Sequence, residues 1–131
     1  MKPILLSLFL SFSFVAGAHE GHSHGPAIKA APHGGVLREG KDNAVEVVAD
    51  NNEIKVYVFD MQMKPVALNG MSLAGTAQVP RKDKKALAFQ TAGDYFKGNA
   101  DVGSAYRYEL NLELNNGKNT EKFKMNIEIK E

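Results

Sequence analysis

The chain has 131 residues, 16 basic and 15 acidic side chains, 44% hydrophobic residues and no cysteine. That length suits one domain with a core of its own, and the near-neutral balance gives no general pull toward nucleic acid or an anionic membrane. The missing cysteine excludes disulfides, thiolate ligands and a lipid-modified N-terminal cysteine.

The first predicted element is an export signal. Met1 and Lys2 form a positive n-region, Ile4 to Val15 (ILLSLFLSFSFV) an apolar h-region, and Ala16-Gly17-Ala18 a small-residue cleavage site. The apolar run is short for a membrane span. Cleavage after Ala18 predicts a periplasmic or secreted protein without stable membrane insertion, formally neutral once Lys2 is removed. Residues 19–32, HEGHSHGPAIKAAP, then read as a flexible His-rich tail without hydrophobic periodicity.

From 33 to 131 the pattern predicts an all-β domain. A first strand follows His33-Gly34-Gly35. AVEVVAD at 44–50 and EIKVYVFD at 53–60 flank Asn51-Asn52, a pair suited to a tight turn because asparagine tolerates positive φ. In the second run Ile54, Val56 and Val58 share one face and Lys55, Tyr57 and Phe59 the other, as in a central strand. MSLAGTAQV (71–79) and ALAFQTA (86–92) read as two short strands, and GDYFKGNADVGS (93–104) as an irregular connection. AYRYELNLEL and EKFKMNIEIK alternate strictly around the turn NNGKN and predict a hairpin with one wet face. About seven strands predict a small antiparallel immunoglobulin-like sandwich, with a closed barrel of similar strand count as the alternative. The basic run Arg81 to Lys85 (RKDKK) reads as a solvated loop first and a docking patch for an acidic partner second.

The pattern argues against an enzyme. No phosphate-cradling glycine motif or dinucleotide fingerprint is present, and three of the four histidines fall on the tail. The tail itself points to metal. His19, His22 and His24 lie close together with Glu20 among them, and several imidazoles on one short segment raise the local donor concentration. Cleavage after Ala18 would make His19 N-terminal, so that its α-amine and imidazole chelate one ion together and His22 or His24 adds a third nitrogen. Nitrogen ligands without thiolate favour Cu(II), with Ni(II) and Zn(II) behind it. A polar tail with no metal role is the bland alternative. His33 reads first as part of a turn entering a strand. Met61 and Met63 would point the same way on an extended segment, a pair suited to Cu(I) but more ordinarily to packing. Asp60 and Pro65 beside them look like turn residues.

The stretch from Pro32 to Val66 contains His33-Gly34-Gly35, Glu46-Val47-Val48, Tyr57 to Asp60 and Lys64-Pro65-Val66 in that order. It resembles a segment of small exported bacterial proteins and the N-terminal domain of the periplasmic adaptor subunits of heavy-metal efflux pumps. The resemblance covers about the first third of the domain. It implies an immunoglobulin-like module that handles copper, zinc, cobalt or nickel, with a metal role for His33, Glu46 as a second ligand and Asp60 as a weaker one. Members of that family often carry a histidine where this chain has Ala44, so a folded site here would lack one ligand and be weaker, or the N-terminal histidines would replace that ligand by folding back. Apart from the resemblance, Glu46 reads equally as a solvent-face residue beside Val45 and Val47. The expected function is a periplasmic metal-binding protein that buffers the ion or delivers it to an efflux adaptor or pump. The alternative is an envelope interaction module that binds another protein without metal.

Overall fold

The structure is a computed structural model that describes residues 30–129. The segment read as an export signal and the histidines at 19, 22 and 24 lie outside the described residues. Eight strands appear: β1 (Val36–Glu39), β2 (Ala44–Asp50), β3 (Glu53–Phe59), β4 (Ser72–Gln78), β5 (Lys85–Ala92), β6 (Tyr95–Asn99), β7 (Arg107–Asn115) and β8 (Thr120–Glu128). There is no helix among the described residues, and so none long and apolar enough to cross a membrane.

Two-residue alternation builds the core. In the β2–β3 hairpin Val45 opposes Val58, Val47 opposes Val56 and Ala49 opposes Ile54. Leu112 opposes Phe123, Leu110 opposes Met125 and Tyr108 opposes Ile127 between β7 and β8. These side chains form one buried cluster, with Ala49 packed partly buried against it. Each such aliphatic or aromatic side chain contributes roughly 1.5–3 kcal/mol when fully buried. The expected turn at Asn51-Asn52 joins β2 to β3, with Asn51 at φ 55°.

All strand pairs are antiparallel, and the hydrogen-bonded order is β1-β2-β3-β6-β5-β4-β7-β8. The two ends of that order, β1 and β8, approach each other. The fold is therefore all-β as expected, but it is one nearly closed, barrel-like sheet rather than a clear seven-stranded sandwich. Glu121 of β8 ties the seam beyond β1. It is 8% exposed, and its Oε1 accepts the backbone N–H groups of Lys41 (2.5 Å) and Asp42 (2.8 Å).

The additional strand is β6, which falls inside the segment expected to be irregular. Its inward positions include Phe96 and Gly98, so little side-chain bulk marks it as a strand. The missing bulk comes from β5. A Cβ on Gly98 would meet the Phe89 ring at 2.8 Å, and one on Gly75 would meet the same ring at 3.0 Å. One phenylalanine thus covers two glycines on its neighbouring strands.

Burial of Tyr108 among these strands has a measurable consequence. Desolvation of the phenolate pushes its pKa up to about 12. The neutral phenol is the form the fold favours, so its contribution is intact below the ordinary value near 10. It is lost as pH rises through about 12. Ultraviolet titration should show one of the four tyrosines ionising near 12, and that step should vanish in Tyr108→Phe. A Tyr108→Phe profile identical to the parent's would contradict this assignment.

Candidate functional site

Glu46 sits in the middle of β2, with Leu37 of β1 on one side and Tyr57 of β3 on the other. Strand alternation puts it on the face opposite Val45 and Val47, which serve the core. That face would ordinarily meet water, yet Glu46 is 0% exposed. The solvent-face reading is thus overturned: the segment before β1 folds across the outer surface and covers the carboxylate.

The covering segment is held by the carboxylate it covers. The His33 backbone N–H donates to Glu46 Oε2 at 2.8 Å and lies 3.1 Å from Oε1. The Gly35 N–H donates to Oε2 at 2.8 Å. Gly34 between them has φ 74°, and its own N–H reaches the Ala31 carbonyl at 3.1 Å. A positive φ at this residue suits glycine, and it lets the flanking N–H groups converge on one anion, as in a backbone nest. Hydrogen bonds to a charged acceptor contribute roughly 1.5–3 kcal/mol each, which offsets the desolvation of the buried carboxylate.

The His33 ring completes the clasp. Its Nδ1 lies 2.7 Å from Glu46 Oε1. A carboxylate only accepts, so Nδ1 carries the hydrogen, and in the neutral ring Nε2 then has the lone pair. The ring stacks on Tyr57, with centroids 3.7 Å apart and planes 10° from parallel. Phe59 lies behind it at 6.4 Å, and Tyr57 in turn meets Tyr95 of β6 at 5.3 Å. The His33 side chain remains 40% exposed. The arrangement presents one imidazole fixed in tautomer by a carboxylate and in plane by a tyrosine. A carboxylate held against one ring nitrogen is the kind of partner that metal-ligating histidines commonly have.

The structure therefore brings His33 and Glu46 together. Both Glu46 oxygens already accept protein donors, which makes the carboxylate an orienting group for His33. No group of three or more His, Cys, Asp or Glu side chains suited to a metal occurs among the described residues.

The Asp60–Lys64 segment is a turn. Asp60 Oδ1 accepts the N–H groups of Gln62 and Lys64, both at 2.9 Å. Met63 sits at φ 63°, so Met61 and Met63 are not on an extended segment and the shared direction expected of them does not follow. Asp60 is a turn residue, as its neighbourhood in the sequence implied. Sequence reasoning missed the contributions of Tyr57, Tyr95 and the Gly35 amide. The signal for the amide was present in His33-Gly34-Gly35, a backbone able to turn its N–H groups toward an anion.

Comparison with known proteins finds no matching family model, no matching curated protein and no matching solved structure.

Proposed function

We propose that this protein binds a divalent transition metal outside the cytoplasm, Cu(II) ahead of Ni(II) and Zn(II), through the His33 imidazole together with those of His19, His22 and His24. The observation that carries the reading is the His33–Glu46 clasp, in which Nδ1 is 2.7 Å from Oε1, so that the neutral ring has its lone pair on Nε2. His33 is the anchored donor, and Glu46 is its positioning residue.

His19, His22 and His24 are the further donors. Eight residues separate His24 from His33, and that length of extended chain spans up to about 30 Å. The tail can therefore deliver a second and third nitrogen to an ion held at His33 without help from another molecule, at the high effective concentration of a tethered ligand. This supplies what the alanine at position 44 leaves out. Export by the 1–18 signal, a periplasmic location and delivery of the ion to a heavy-metal efflux adaptor belong to the same proposal, supported by the N-terminal pattern and the Pro32–Val66 resemblance. An immunoglobulin-like, two-layered arrangement of the strands belongs to the same proposal; β5 pairs with β4 along its first half and with β6 along its second.

Titration of the processed protein with Cu(II) and Zn(II) tests the reading, alongside a version lacking residues 19–24 and a His33→Ala variant. Loss of the tail should weaken Cu(II) binding at least about tenfold, as expected when tethered donors are removed. His33→Ala should change the nitrogen count seen by electron paramagnetic resonance. Millimolar binding by all three proteins would end the proposal and favour the metal-free interaction module.

A further inference from the structure

The strand order leaves two free edges, β1 and β8, which face each other across a seam with no hydrogen-bonded pairing between them. Glu121 ties one end of that seam through the N–H groups of Lys41 and Asp42. The other end widens into a notch of about 430 Å³, bordered by the last residues of β2 and of β8.

The notch exists because β1 is shorter than the strand it pairs with. β1 begins at Val36, opposite Val47, so Val48, Ala49 and Asp50 of β2 have no strand on that side. The chain before Val36 does not supply one. It leaves the sheet at Gly34 and Gly35 and crosses the outer face to Glu46.

Backbone directions follow from the register, because residues of an antiparallel strand turn their N–H and C=O alternately to its two sides. The Gly40 N–H donates to the Asn43 carbonyl at the β1–β2 turn, so Val45, Val47 and Ala49 face the β1 side. The Ile129 N–H donates to the Tyr106 carbonyl, so Ile127 faces β7 while Asn126 and Glu128 face the seam. Ala49 on one bank, and Asn126 and Glu128 on the other, thus present backbone donors and acceptors with no strand opposite. Unpaired edges of this kind are templates for a further strand.

Side chains around the notch define that strand. On the inner face Val36, Ala49, Ile127 and Ile129 belong to the core or pack against it. On the outer face stand Asp50 and Glu128, both exposed, and they are the only charged residues lining the notch among the described residues. Neither forms an ion pair there. The cations nearest by register are engaged elsewhere. Arg107, opposite Glu128, lies over the Tyr106 ring at 5.8 Å, and Lys55, opposite Val48, lies over the Tyr95 ring at 5.3 Å. Lys97 pairs with Glu53 at 3.8 Å. Lys130 and Glu131, outside the described residues, carry opposite charges. An extended segment in the notch would send alternate side chains inward and outward. Its inward residue meets an apolar floor, and its outward neighbours meet two carboxylates.

We propose that the notch takes one strand of a partner protein, an aliphatic residue flanked on both sides by lysine or arginine, which completes the barrel between β2 and β8 by β-augmentation. Three such residues span roughly 10 Å of edge. The inference does not rest on the metal reading.

The probe is the peptide acetyl-Lys-Ile-Lys-Val-Lys-amide, with Glu in place of Lys as the charge control and a backbone N-methylated version as the pairing control. Amide hydrogen exchange of the processed protein is followed by nuclear magnetic resonance. The lysine peptide should slow exchange saturably at Asn126, Glu128 and Ala49, and both controls should bind more weakly. The double variant Asp50→Asn/Glu128→Gln should weaken the lysine peptide about tenfold, the scale of two exposed charge contacts. Both side chains are exposed, so the variant keeps the fold, and an unchanged amide spectrum without peptide verifies this. The proposal is overturned by an absence of added protection, by either control binding as well as the lysine peptide, or by a double variant that binds like the parent. Protection already present without peptide also overturns it: loss of that protection on removing residues 19–29 would assign the edge to the chain's own tail, and dependence on protein concentration would assign it to a second copy.

Discussion

Glu46→Ala should destabilise the fold by about 3 kcal/mol and release the segment that carries His33, the magnitude seen when one partner of a buried ionic hydrogen-bonded group is removed. The carboxylate accepts from two backbone N–H groups and one ring nitrogen. Alanine leaves those donors facing a small void on β2. Water can reach the exposed His33 side once the segment lifts, which keeps the loss nearer the low end of the range for buried pairs. Glu46→Gln separates stability from orientation. Its amide preserves volume and one acceptor, but its NH2 group confronts either a backbone N–H or the His33 ring. The glutamine variant should therefore lose less stability than alanine while the histidine loses its fixed tautomer. Urea denaturation measures the first effect, and nitrogen chemical shifts of the His33 ring measure the second. If His33 does anchor a metal, affinity should fall about 10- to 100-fold in the glutamine variant, as for other outer-shell carboxylates. A loss below about 1 kcal/mol in Glu46→Ala would mean that the clasp contributes no more than a surface contact.

The clasp also marks the boundary of what local pattern could reveal. The β7–β8 hairpin was legible because each strand states its own burial: Tyr108, Leu110, Leu112 and Leu114 face inward with nothing but polar residues between them. Tyr106, which continues that alternation in the sequence, lies before the strand and is 70% exposed, because period-2 reading cannot tell where pairing begins. β6 was illegible for a different reason. Its glycine is covered by Phe89, so the evidence for burial is written in a neighbouring strand. Glu46 is the extreme case. Alternation assigns it correctly to the outer face, and only a contact with a segment 13 residues away makes that face an interior. The Pro32–Val66 resemblance placed His33 and Glu46 in one site. It did not distinguish a ligand from an orienting carboxylate, which depends on how many donors already meet each oxygen.

Gly35→Ala should be the most damaging single methyl in the described chain, costing about 3 kcal/mol, at the upper end of the range for overpacking. A Cβ built there would lie 2.3 Å from the Val47 carbonyl oxygen, 2.9 Å from its carbon and 3.0 Å from a methyl of Val48. The first two atoms are backbone, and Val47 is paired on both sides, with Val36 and with Val56. Neither neighbour can retreat without parting β1 from β2 or β2 from β3. The least costly response is for residue 35 to move outward, which breaks its N–H contact to Glu46 Oε2 and lifts the His33 ring off Tyr57. Gly34 is the control beside it. It has φ 74° but nothing within 4 Å of its Cβ position, so Gly34→Ala meets only the backbone penalty of about 1–2 kcal/mol. Denaturation midpoints of the two variants give the comparison directly. Proton shifts of the Tyr57 and His33 rings report whether the stack survives. The close approach predicts loss of stacking in Gly35→Ala and its retention in Gly34→Ala. Equal costs, or a larger one at Gly34, would show that backbone conformation rather than contact with Val47 controls how the His33 segment is seated.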